Sequence, residues 1–540
     1  MAAGARALAA LGHDRVVTVD LLVVGAGING AGIARDAARR GLSVVLVDKG
    51  DVASGTTSWS TRLIHGGLRY LEHAEVGLVR ESLRERERLL RIAPHLVSAL
   101  SFLVPVYDDD RRGRTTIRAG MLAYDALSGD GSLGRHAMLS AAEALAREPG
   151  LDPVGLRGAA VYSDAQAEFP ERLALENVLA AGEAGADVRL HTRVDSLLRE
   201  EGRVRGVRVG GGEIRAALTV NVAGPWVDEI LGGGGQRRLV GGTKGTHLVV
   251  ARFAGAPQET LYVEAEDGRP YFIVPWNDLL LIGTTDDPYD GDLDRVVATD
   301  AEIDYLLAET NSVIPGAGLG RDDVLYTYAG VRPLPSVPAG EAGQITRRHV
   351  IEDHAPELEG IVSVIGGKLT TYRELAEQVV DVALSKLALE QRPATTGEEP
   401  LPGARGDVDA VRSELARRVA FDERTARRLV RIYGVRARDI AALAEAEPAL
   451  AAPFDPGTGA LAAEVVWALE HERARTLADV LLRRTMVGLG PTVGVGPDEA
   501  AAAVARDHLG WSAARAAEEV EAYRTTVATL RPRAFAPPAH

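Results

Sequence analysis

Short apolar runs flank an alanine-rich segment near the start of the chain. Residues 18–24, TVDLLVV, form an apolar run that ends in glycines, which is typical of a buried strand. Residues 29–40 have a helical pattern, Gly41 stands where helices commonly end, and residues 43–47, SVVLV, form a second buried run. Strand, helix and strand in this order predict two parallel strands joined by a right-handed crossover.

Similar patterns recur along the rest of the chain. They predict further strands at 188–194, 203–209, 217–222 and 361–365, and further helices at 76–92, 171–184 and 371–388. Residues 244–335 are rich in strand patterns and indicate a separate, mostly β layer. After a loop with Pro and Gly at 392–406, the pattern is helical to about residue 530. The predicted fold class is α/β, with a discontinuous Rossmann-like domain, a mostly β domain and an all-α C-terminal domain.

Composition and charge narrow the classes of function. The chain has 540 residues, enough for two or three domains, and a formal net charge of −15, which disfavours nucleic-acid binding. It contains no cysteine, so disulfides, thiolate catalysis and Cys-type zinc sites are excluded, and no metal site is predicted. Residues 1–17 are interpreted as an N-terminal tail rather than a targeting peptide. No run of 18 apolar residues occurs, so any membrane contact is expected to be peripheral.

The first strand leads into a glycine motif that is typical of dinucleotide sites. Gly25, Gly27 and Gly30 form G-x-G-x-x-G between strand and helix, and Asp48 ends the second strand. Gly25 suits a tight turn, Gly27 suits close approach of a pyrophosphate, and Gly30 suits close helix–strand packing. Asp48 is suited to accept hydrogen bonds from the adenosine ribose. The motif leaves open whether the cofactor is FAD or NAD, although the discontinuous layout favours FAD.

The segment after Asp48 carries a specific resemblance. SGTTSWSTRLIHGGLRYLEH at 54–73, with NVAGPWVD, KGTHLVV, YAGVRPL and GGKLTTYRELAEQ in the same order further on, resembles the FAD-dependent, respiratory glycerol-3-phosphate dehydrogenases. The resemblance spans about 18–520. It implies an FAD-dependent oxidoreductase region at 18–395, with FAD-binding parts at about 18–98, 155–243 and 336–395, substrate-binding parts at about 99–154 and 244–335, and a helical domain at 400–525.

The resemblance also implies which residues contact FAD. On residue types alone, the hydroxyl-rich stretch 54–61 is equally well explained as a solvated loop. The helix that follows GGKLTT would direct its N-terminus at the flavin pyrimidine ring. The implied cofactor contacts are Gly25, Gly27, Asn29, Gly30, Asp48, Thr56, Thr57, Ser58, Ser60, Thr61, Arg62, Leu63, His65, Val194, Ala223, Gly224, Trp226, Gly367, Lys368, Leu369 and Thr370.

A second set of residues is implied to bind and oxidise glycerol 3-phosphate. The expected reaction gives dihydroxyacetone phosphate by hydride transfer from C2 to flavin N5. His247 is the favoured base, with His65 as a less favoured one, although a lone histidine is more often structural. Cations suit the phosphate and the C2 oxygen. The substrate-binding residues implied are Arg69, Tyr70, Arg332, Arg347 and Lys368, with Arg332 also assigned to catalysis.

The electron acceptor implied by the resemblance is a membrane quinone, reached by peripheral attachment of a cytoplasmic protein to the membrane. A basic stretch suits that surface, or else forms a solvated helix with a core face: Arg111, Arg112, Arg114, Arg118, Met121, Leu122 and Tyr124. An oxidase that uses oxygen, a non-catalytic flavin sensor and an NAD-dependent dehydrogenase remain alternatives, and a homodimer is possible. The stretch YSDAQAEFPERL at 162–173 departs from the family's pattern and is left out of the predicted site.

Overall fold

The computed structural model describes residues 18–73, 75–129, 132–232, 237–336, 348–418 and 421–535, without the side chains of Arg69, Glu72 and His73. The predicted N-terminal tail and Arg347 lie outside these residues. The chain forms two compact units. The first unit contains residues 18–58, 173–242 and 332–402, and the second contains 59–172, 243–331 and 403–540.

The first unit is built on an eight-stranded sheet with a parallel centre. Its main order is Val350–Asp353, Ile361–Ile365, Gly212–Asn221, Thr18–Val24, Val44–Val47 and Asp187–Arg189, with the hairpin of Ser196–Glu200 and Arg203–Val209 attached to Gly212–Asn221. Leu21 of the first strand pairs with Val44 on one side and Leu218 on the other. These central strands are mostly apolar, because both faces of such a sheet are buried.

Helices of the first unit pack closely against one another. Their bounds are Ile28–Arg39, Val227–Ile230 and Tyr372–Lys386, and Pro170–Glu183 enters this unit at residue 173. A Cβ on Gly32 would lie 2.8 Å from the ring of Tyr372, so a glycine is needed where the first and last helices meet. Asn177 donates to the hydroxyl of Tyr372 at 3.0 Å, which fixes the helix Pro170–Glu183 to the helix Tyr372–Lys386.

The second unit contains a ten-stranded sheet. Its main order is Asp287–Pro288, Val240–Ala251, Leu279–Gly283, Pro270–Trp276, Thr260–Glu264, Val97–Tyr107, Leu156–Ala167 and Leu63–Ile64; Val324–Pro335 pairs with Val240–Ala251, and Ala137–Leu139 with Leu156–Ala167. The helices beside it in sequence are Val76–Ile92, Arg114–Ser128, Ala141–Arg147 and Asp300–Val313. Aliphatic residues such as Leu248, Ile273 and Leu306 form its core.

The end of the second unit is helical. Its helices are Val408–Leu415, Glu423–Tyr433, Ala437–Ala446, Ala462–His471, Leu477–Arg483, Pro497–Leu509 and Ala513–Ala528, with a small hairpin of Pro453–Asp455 and Ala460–Leu461. Asp407, Asp422, Thr476 and Ser512 cap four of these helices through their side chains. The all-α character predicted for this region is confirmed.

The predicted fold class is confirmed, and several predicted elements match closely. The first strand and the helix Val76–Ile92 have the predicted bounds, whereas the strand predicted at 188–194 ends at Arg189. The sequence pattern missed the strands Val97–Tyr107 and Leu156–Ala167. Leu156–Ala167 lies in the second unit, and its assignment to the FAD-binding part at about 155–243 stays a prediction. Among the described residues, no helix is both long enough and apolar enough to cross a bilayer.

Candidate active site

Gly25 makes the turn between the first strand and the first helix. Its φ is +114°, and its N–H donates to the carbonyl of Val47 at 2.8 Å. A Cβ there would lie 2.6 Å from the carbonyl oxygen of Val222, and a Cβ on Gly30 would overlap the carbonyl oxygen of Gly25. The chain therefore needs glycine at both positions, as the motif predicts.

The helix Ile28–Arg39 begins in a way that suits an anion. It has no acidic residue in its first turn, and its N-cap residue, Gly27, has no side chain that could accept from the helix N–H groups. The Ile28 N–H donates to Oγ1 of Thr57 at 3.1 Å, which brings one predicted hydroxyl to the helix start. Unpaired N–H groups and the helix dipole at such an N-terminus stabilise phosphate charge.

Asp48 holds the same turn from the second strand. Its Oδ2 accepts from the Ala26 N–H at 2.6 Å, and its Oδ1 accepts from the Gly50 N–H at 2.8 Å. A carboxylate has about four lone-pair sites, so these two bonds leave acceptor capacity for a ribose. Its predicted contact with the ribose stays a prediction.

The residues around this turn fit a dinucleotide cofactor. Asn29 donates to the Gly366 carbonyl at 3.2 Å, while its buried Oδ1 has no hydrogen-bond partner among the described residues. The buried Nε1 of Trp226 likewise has none within the described part of the chain. Gly367 has a φ of +97°, and a Cβ there would lie 2.5 Å from Nδ2 of Asn29. Unsatisfied buried polar atoms are rare in proteins, so Oδ1 of Asn29 and Nε1 of Trp226 are both suited to bind polar groups of a ligand.

Other predicted cofactor residues are placed with less detail. Ser58 donates to the Ala53 carbonyl at 2.7 Å, and Lys49 lies 4.0 Å from the ring centre of Trp226. The half-buried members of the predicted set in the first unit are Thr56, Val194, Ala223, Gly224, Lys368 and Leu369, whereas Thr370 is buried. Ser60, Thr61, Arg62, Leu63 and His65 belong to the second unit. Their cofactor contacts remain predictions.

His247 is held firmly in the second unit. It lies in the strand Val240–Ala251 with 1% of its surface exposed. Its Nε2 is 2.9 Å from Oγ1 of Thr61, and its ring centre is 4.8 Å from that of Tyr328. A Cβ on the paired residue Gly283 would lie 2.5 Å from Cδ2 of the imidazole. Contacts on several sides thus fix the orientation that a proton-transfer group needs.

A polar network adjoins His247 on the same strand. Lys244 forms a 2.8 Å ion pair with Glu302, and Thr246 donates to the same carboxylate at 2.8 Å. Burial opposes ionisation of Glu302, but hydrogen bonds from Lys244 and neighbouring groups hold its pKa below the usual value. The charged carboxylate therefore secures the strand on one side of His247.

Arg62 holds its guanidinium in a buried environment, and its predicted contact with FAD stays a prediction. Its buried guanidinium donates to both carboxylate oxygens of Glu171 at 2.9 Å and lies 4.4 Å from the ring centre of Trp276. Although burial alone would lower it, the charge of Glu171 raises the pKa of Arg62 above its usual value. The side chain is therefore engaged in a buried ion pair within the second unit.

The predicted substrate residues are only partly brought together. The rings of His65 and Tyr70 lie 6.5 Å apart in a stacked arrangement. Arg332 is half-buried near the end of Val324–Pro335 and belongs to the first unit. The side chain of Arg69 and all of Arg347 lie outside the described part of the structure. Convergence of these cations stays a prediction.

Three functional candidates escaped the sequence patterns: Arg86, Tyr124 and Asp164. They are buried together in the second unit, and Asp164 falls in the stretch that was left out of the predicted site. Tyr124 donates to Asp164 at 2.7 Å, and Arg86 donates to it at 2.6 Å. One signal in the sequence could have revealed them. Asp164 is a charged residue among mostly small and apolar residues in AAVYSDAQA, which marks a candidate buried charge.

The structure corrects part of the proposed membrane surface. Met121 and Tyr124 have 0% and 2% of their surface exposed, because they pack in the core beneath the helix Arg114–Ser128. Arg111 donates to the Asp267 carbonyl at 2.8 Å, and Arg112 forms an ion pair with Glu264. Met121 and Tyr124 therefore cannot insert into lipid in this fold.

Comparison with known proteins identifies the class. Residues 20–373 match the family described as FAD dependent oxidoreductase, and residues 394–516 match the C-terminal domain of alpha-glycerophosphate oxidase. The fold and the glycine turn are thus those of an FAD-dependent oxidoreductase, and the cofactor is FAD. This assignment removes the NAD-dependent alternative.

Individual relatives define the family more narrowly. The glycerol-3-phosphate dehydrogenase of Synechocystis is 45% identical over 93% of this chain and 95% of that protein. The D-erythritol 1-phosphate dehydrogenase of Brucella abortus is 38% identical over 87% and 94%. The glycerol-3-phosphate dehydrogenase structure from Bacillus halodurans, complexed with FAD, is 28% identical and covers 96% of both chains with a TM-score of 0.79. The chain belongs to the family of FAD-dependent glycerol-3-phosphate dehydrogenases.

Proposed function

We propose that this chain oxidises sn-glycerol 3-phosphate to dihydroxyacetone phosphate. The proposal is supported by the 45% identity to a dehydrogenase of that name over nearly the full chain. The structural observation that carries it is the fixed, buried imidazole of His247, whose Nε2 lies 2.9 Å from Thr61 Oγ1. A base in a fixed orientation is what removal of a hydroxyl proton requires.

The proposed roles follow from the chemistry of the substrate. FAD, when bound, supplies the acceptor for the hydride that leaves C2. His247 takes the proton of the C2 hydroxyl, with His65 as the second candidate. Arg332 is proposed to polarise the C2 oxygen, while Arg69, Tyr70, Arg347 and Lys368 are proposed to bind the phosphate. Several cations are needed because a phosphate monoester carries nearly two charges whose desolvation must be offset.

Anaerobic reduction of the bound flavin tests the reaction and the substrate together. Glycerol 3-phosphate is expected to bleach the flavin absorbance, and unphosphorylated glycerol at the same concentration is not. D-erythritol 1-phosphate is the third arm, because a relative is named for that substrate. Equal bleaching by glycerol would contradict phosphate recognition, and faster bleaching by erythritol phosphate would assign the longer polyol. Bleaching by none of the three would favour the flavin-sensor alternative.

The acceptor is proposed to be a membrane quinone. The rival is an oxidase that reduces oxygen, favoured by the match of residues 394–516 to a domain named for glycerophosphate oxidase. Reoxidation of the substrate-reduced protein by a soluble quinone analogue is expected to outpace reoxidation by air. Stoichiometric hydrogen peroxide per turnover would instead assign the oxidase.

Quinone access is proposed to use the exposed face of the helix Arg114–Ser128. Arg114, Arg118 and Leu122 are exposed and recur every four residues, so they line one face of this helix. Flotation with phosphatidylcholine–phosphatidylglycerol vesicles is expected to weaken in an Arg114→Ser/Arg118→Ser variant. Arg427→Ser, which removes an exposed arginine from a C-terminal helix, is the matched control. Unchanged flotation of the double variant would reject this face.

A further inference from the structure

Three buried polar side chains from different elements of the second unit form a network, and two of them bond the same backbone amide. Arg86 comes from Val76–Ile92, Tyr124 from Arg114–Ser128 and Asp164 from Leu156–Ala167. The Gly66 N–H donates to the Tyr124 hydroxyl at 3.0 Å and to Oδ1 of Asp164 at 3.3 Å. Tyr124 donates to Asp164, and Arg86 donates to Asp164 and to the Ser163 carbonyl. The carboxylate of Asp164 is thus the centre of the network.

Such a network is costly to build in a protein interior. Asp164 has 0% and Arg86 1% of its surface exposed, and removing each ion from water is unfavourable before the two pair. Burial raises the pKa of Asp164, while the guanidinium of Arg86 acts in the opposite direction. Well-packed apolar residues would stabilise the fold at least as well. What the polar groups add is a fixed position for the Gly66 amide.

The position of Gly66 requires a residue without a side chain. A Cβ on Gly66 would overlap the Tyr124 hydroxyl and lie 2.6 Å from Cδ2 of Leu83, so glycine alone lets the chain approach the network this closely. Gly67 follows with a φ of +78°, which glycine adopts at little cost. The turn is therefore defined by both its anchor and its conformation.

The anchored turn leads directly into the predicted phosphate-binding segment. The 3-10 helix Leu68–His73 begins after Gly67, and the Tyr70 N–H donates to the Gly67 carbonyl at 2.8 Å. The Glu75 N–H in turn donates to the Tyr70 carbonyl at 3.0 Å. A shift of Gly66 would thus be transmitted through these bonds to residues 68–73.

We propose that Asp164 is a positioning residue for phosphate recognition, acting through Tyr124 and the Gly66 amide on the segment that contains Arg69 and Tyr70. This inference rests on the proposed function, in which those two residues bind the substrate phosphate. Asp164 does not touch the substrate in this proposal. Its expected effect is on KM, because a phosphate contact that is made equally in the ground state and the transition state changes KM and not kcat when it is weakened.

Two conservative substitutions test the proposal. Asp164→Asn keeps the size of the side chain but replaces an acceptor oxygen by a donor, and Tyr124→Phe removes only the hydroxyl. Both are expected to raise KM for glycerol 3-phosphate by roughly ten- to a hundred-fold, the range expected for weakening a hydrogen bond to a charged group, with FAD content retained and kcat changed less than three-fold. The matched control is Asp125→Asn. Asp125 follows Tyr124 in the helix Arg114–Ser128, and its carboxylate pairs with His136 and not with Gly66.

A second readout separates positioning from general loss of structure. Inorganic phosphate is expected to inhibit the wild-type protein competitively, and its inhibition constant should rise by a similar factor in both variants. Unchanged KM and phosphate inhibition would overturn the proposal, as would a fall in kcat alone. If Asp164→Asn does not fold, Tyr124→Phe decides, because it leaves the Arg86–Asp164 pair intact. A wild-type protein that glycerol 3-phosphate does not reduce would contradict the proposed function itself, whereas normal KM in the variants contradicts only this inference.

Discussion

At the scale of single residues, His247 carries the clearest consequence for activity. Because general acid–base catalysis contributes roughly 10²- to 10⁴-fold, His247→Asn is expected to lower the rate of anaerobic flavin reduction by about that factor with FAD still bound. Asparagine can keep a hydrogen bond to Thr61 but cannot take up the proton. His471→Asn, at a half-exposed position in a C-terminal helix, is the control and should match the wild type. A rate within three-fold of wild type would remove His247 from the base role and leave His65 to be tested.

His95 gives a second residue-scale prediction, about stability. Burial, followed by the charges of Arg172 and Arg436, lowers the pKa of His95 to about 3, and neither ring nitrogen has a partner in the described ranges. The pKa of His95 is lower in the folded protein than the unfolded value of about 6.5, so the unfolded state binds the proton first as pH falls. Folding stability is therefore highest above pH 6.5 and decreases as pH falls toward 3. At pH 5 the loss is about 2 kcal/mol.

Urea unfolding at pH 7.5 and at pH 5.0 measures this loss. The urea midpoint of the wild type is expected to be lower at pH 5.0 than at pH 7.5. The decrease should be smaller in His95→Gln, which cannot titrate. His471→Gln should behave as the wild type. An equal pH-dependent fall in His95→Gln and the wild type would contradict the assignment.

The residue scale also shows the limit of sequence-based site prediction. Local order along the chain sufficed to place Gly25, Gly30 and Asp48 at the turn between the first strand and the first helix, because all three lie within one strand–helix–strand unit. It gave no sign of the ion pair between Arg62 and Glu171, which lie 109 positions apart. A pairing across that separation leaves no periodicity in the sequence, so only the folded structure reveals it.

At the scale of elements, the turn from the first strand to the first helix is the most sensitive point. Gly30→Ala would place a Cβ into the carbonyl oxygen of Gly25, and the resulting backbone shift is expected to weaken FAD binding by about 10- to 100-fold, as for overpacking that costs 1–3 kcal/mol. Gly77→Ala is the matched control, since a Cβ there has nothing within 4 Å. Flavin retained after gel filtration is the measurement, and full retention by Gly30→Ala would contradict it.

Elements were predictable where one physical signal dominated. The strands Thr18–Val24 and Ile361–Ile365 are continuous apolar runs bounded by glycine or polar residues, and both were predicted from that pattern. The strand Leu156–Ala167 buries small residues together with Asp164 and Gln166, so it shows neither a continuous apolar run nor alternation. Val97–Tyr107 contains Pro105, which argues locally against a strand. Tertiary pairing between these two strands overrides the weak local signals.

At the scale of the molecule, the C-terminal helices support the strand beside His247. Tyr326 donates to the Leu489 carbonyl at 2.7 Å, and the Thr327 N–H donates to the Leu530 carbonyl at 2.7 Å. Tyr328, which follows Thr327, places its ring against that of His247 in a tilted arrangement and donates to the Ser60 carbonyl. Within the second unit, this connection gives the helical region a structural role that its sequence alone did not indicate.

Tyr326→Phe measures the strength of that connection. The substitution removes one of two donors to the buried Leu489 carbonyl, which also accepts from Asn277 at 3.2 Å, so unfolding free energy is expected to fall by about 0.5–1.5 kcal/mol. Tyr305→Phe removes a hydroxyl that bonds Asp267 at 3.3 Å near the surface and should cost less than about 0.5 kcal/mol. Equal unfolding midpoints for the two variants in urea would contradict a supporting role for this bond.

The order of strands in the parallel sheet also bears on how the protein is made. Gly212–Asn221 must pair with Ile361–Ile365, so about two-thirds of the chain has to leave the ribosome before the sheet can be completed. At synthesis rates of about 5–20 residues per second, the earlier apolar strands wait several seconds with an open edge. Such a nascent chain is an expected client for chaperones. Slower translation at low temperature prolongs the exposure of the open strand edges, so it should raise the soluble yield only where chaperones cover those edges.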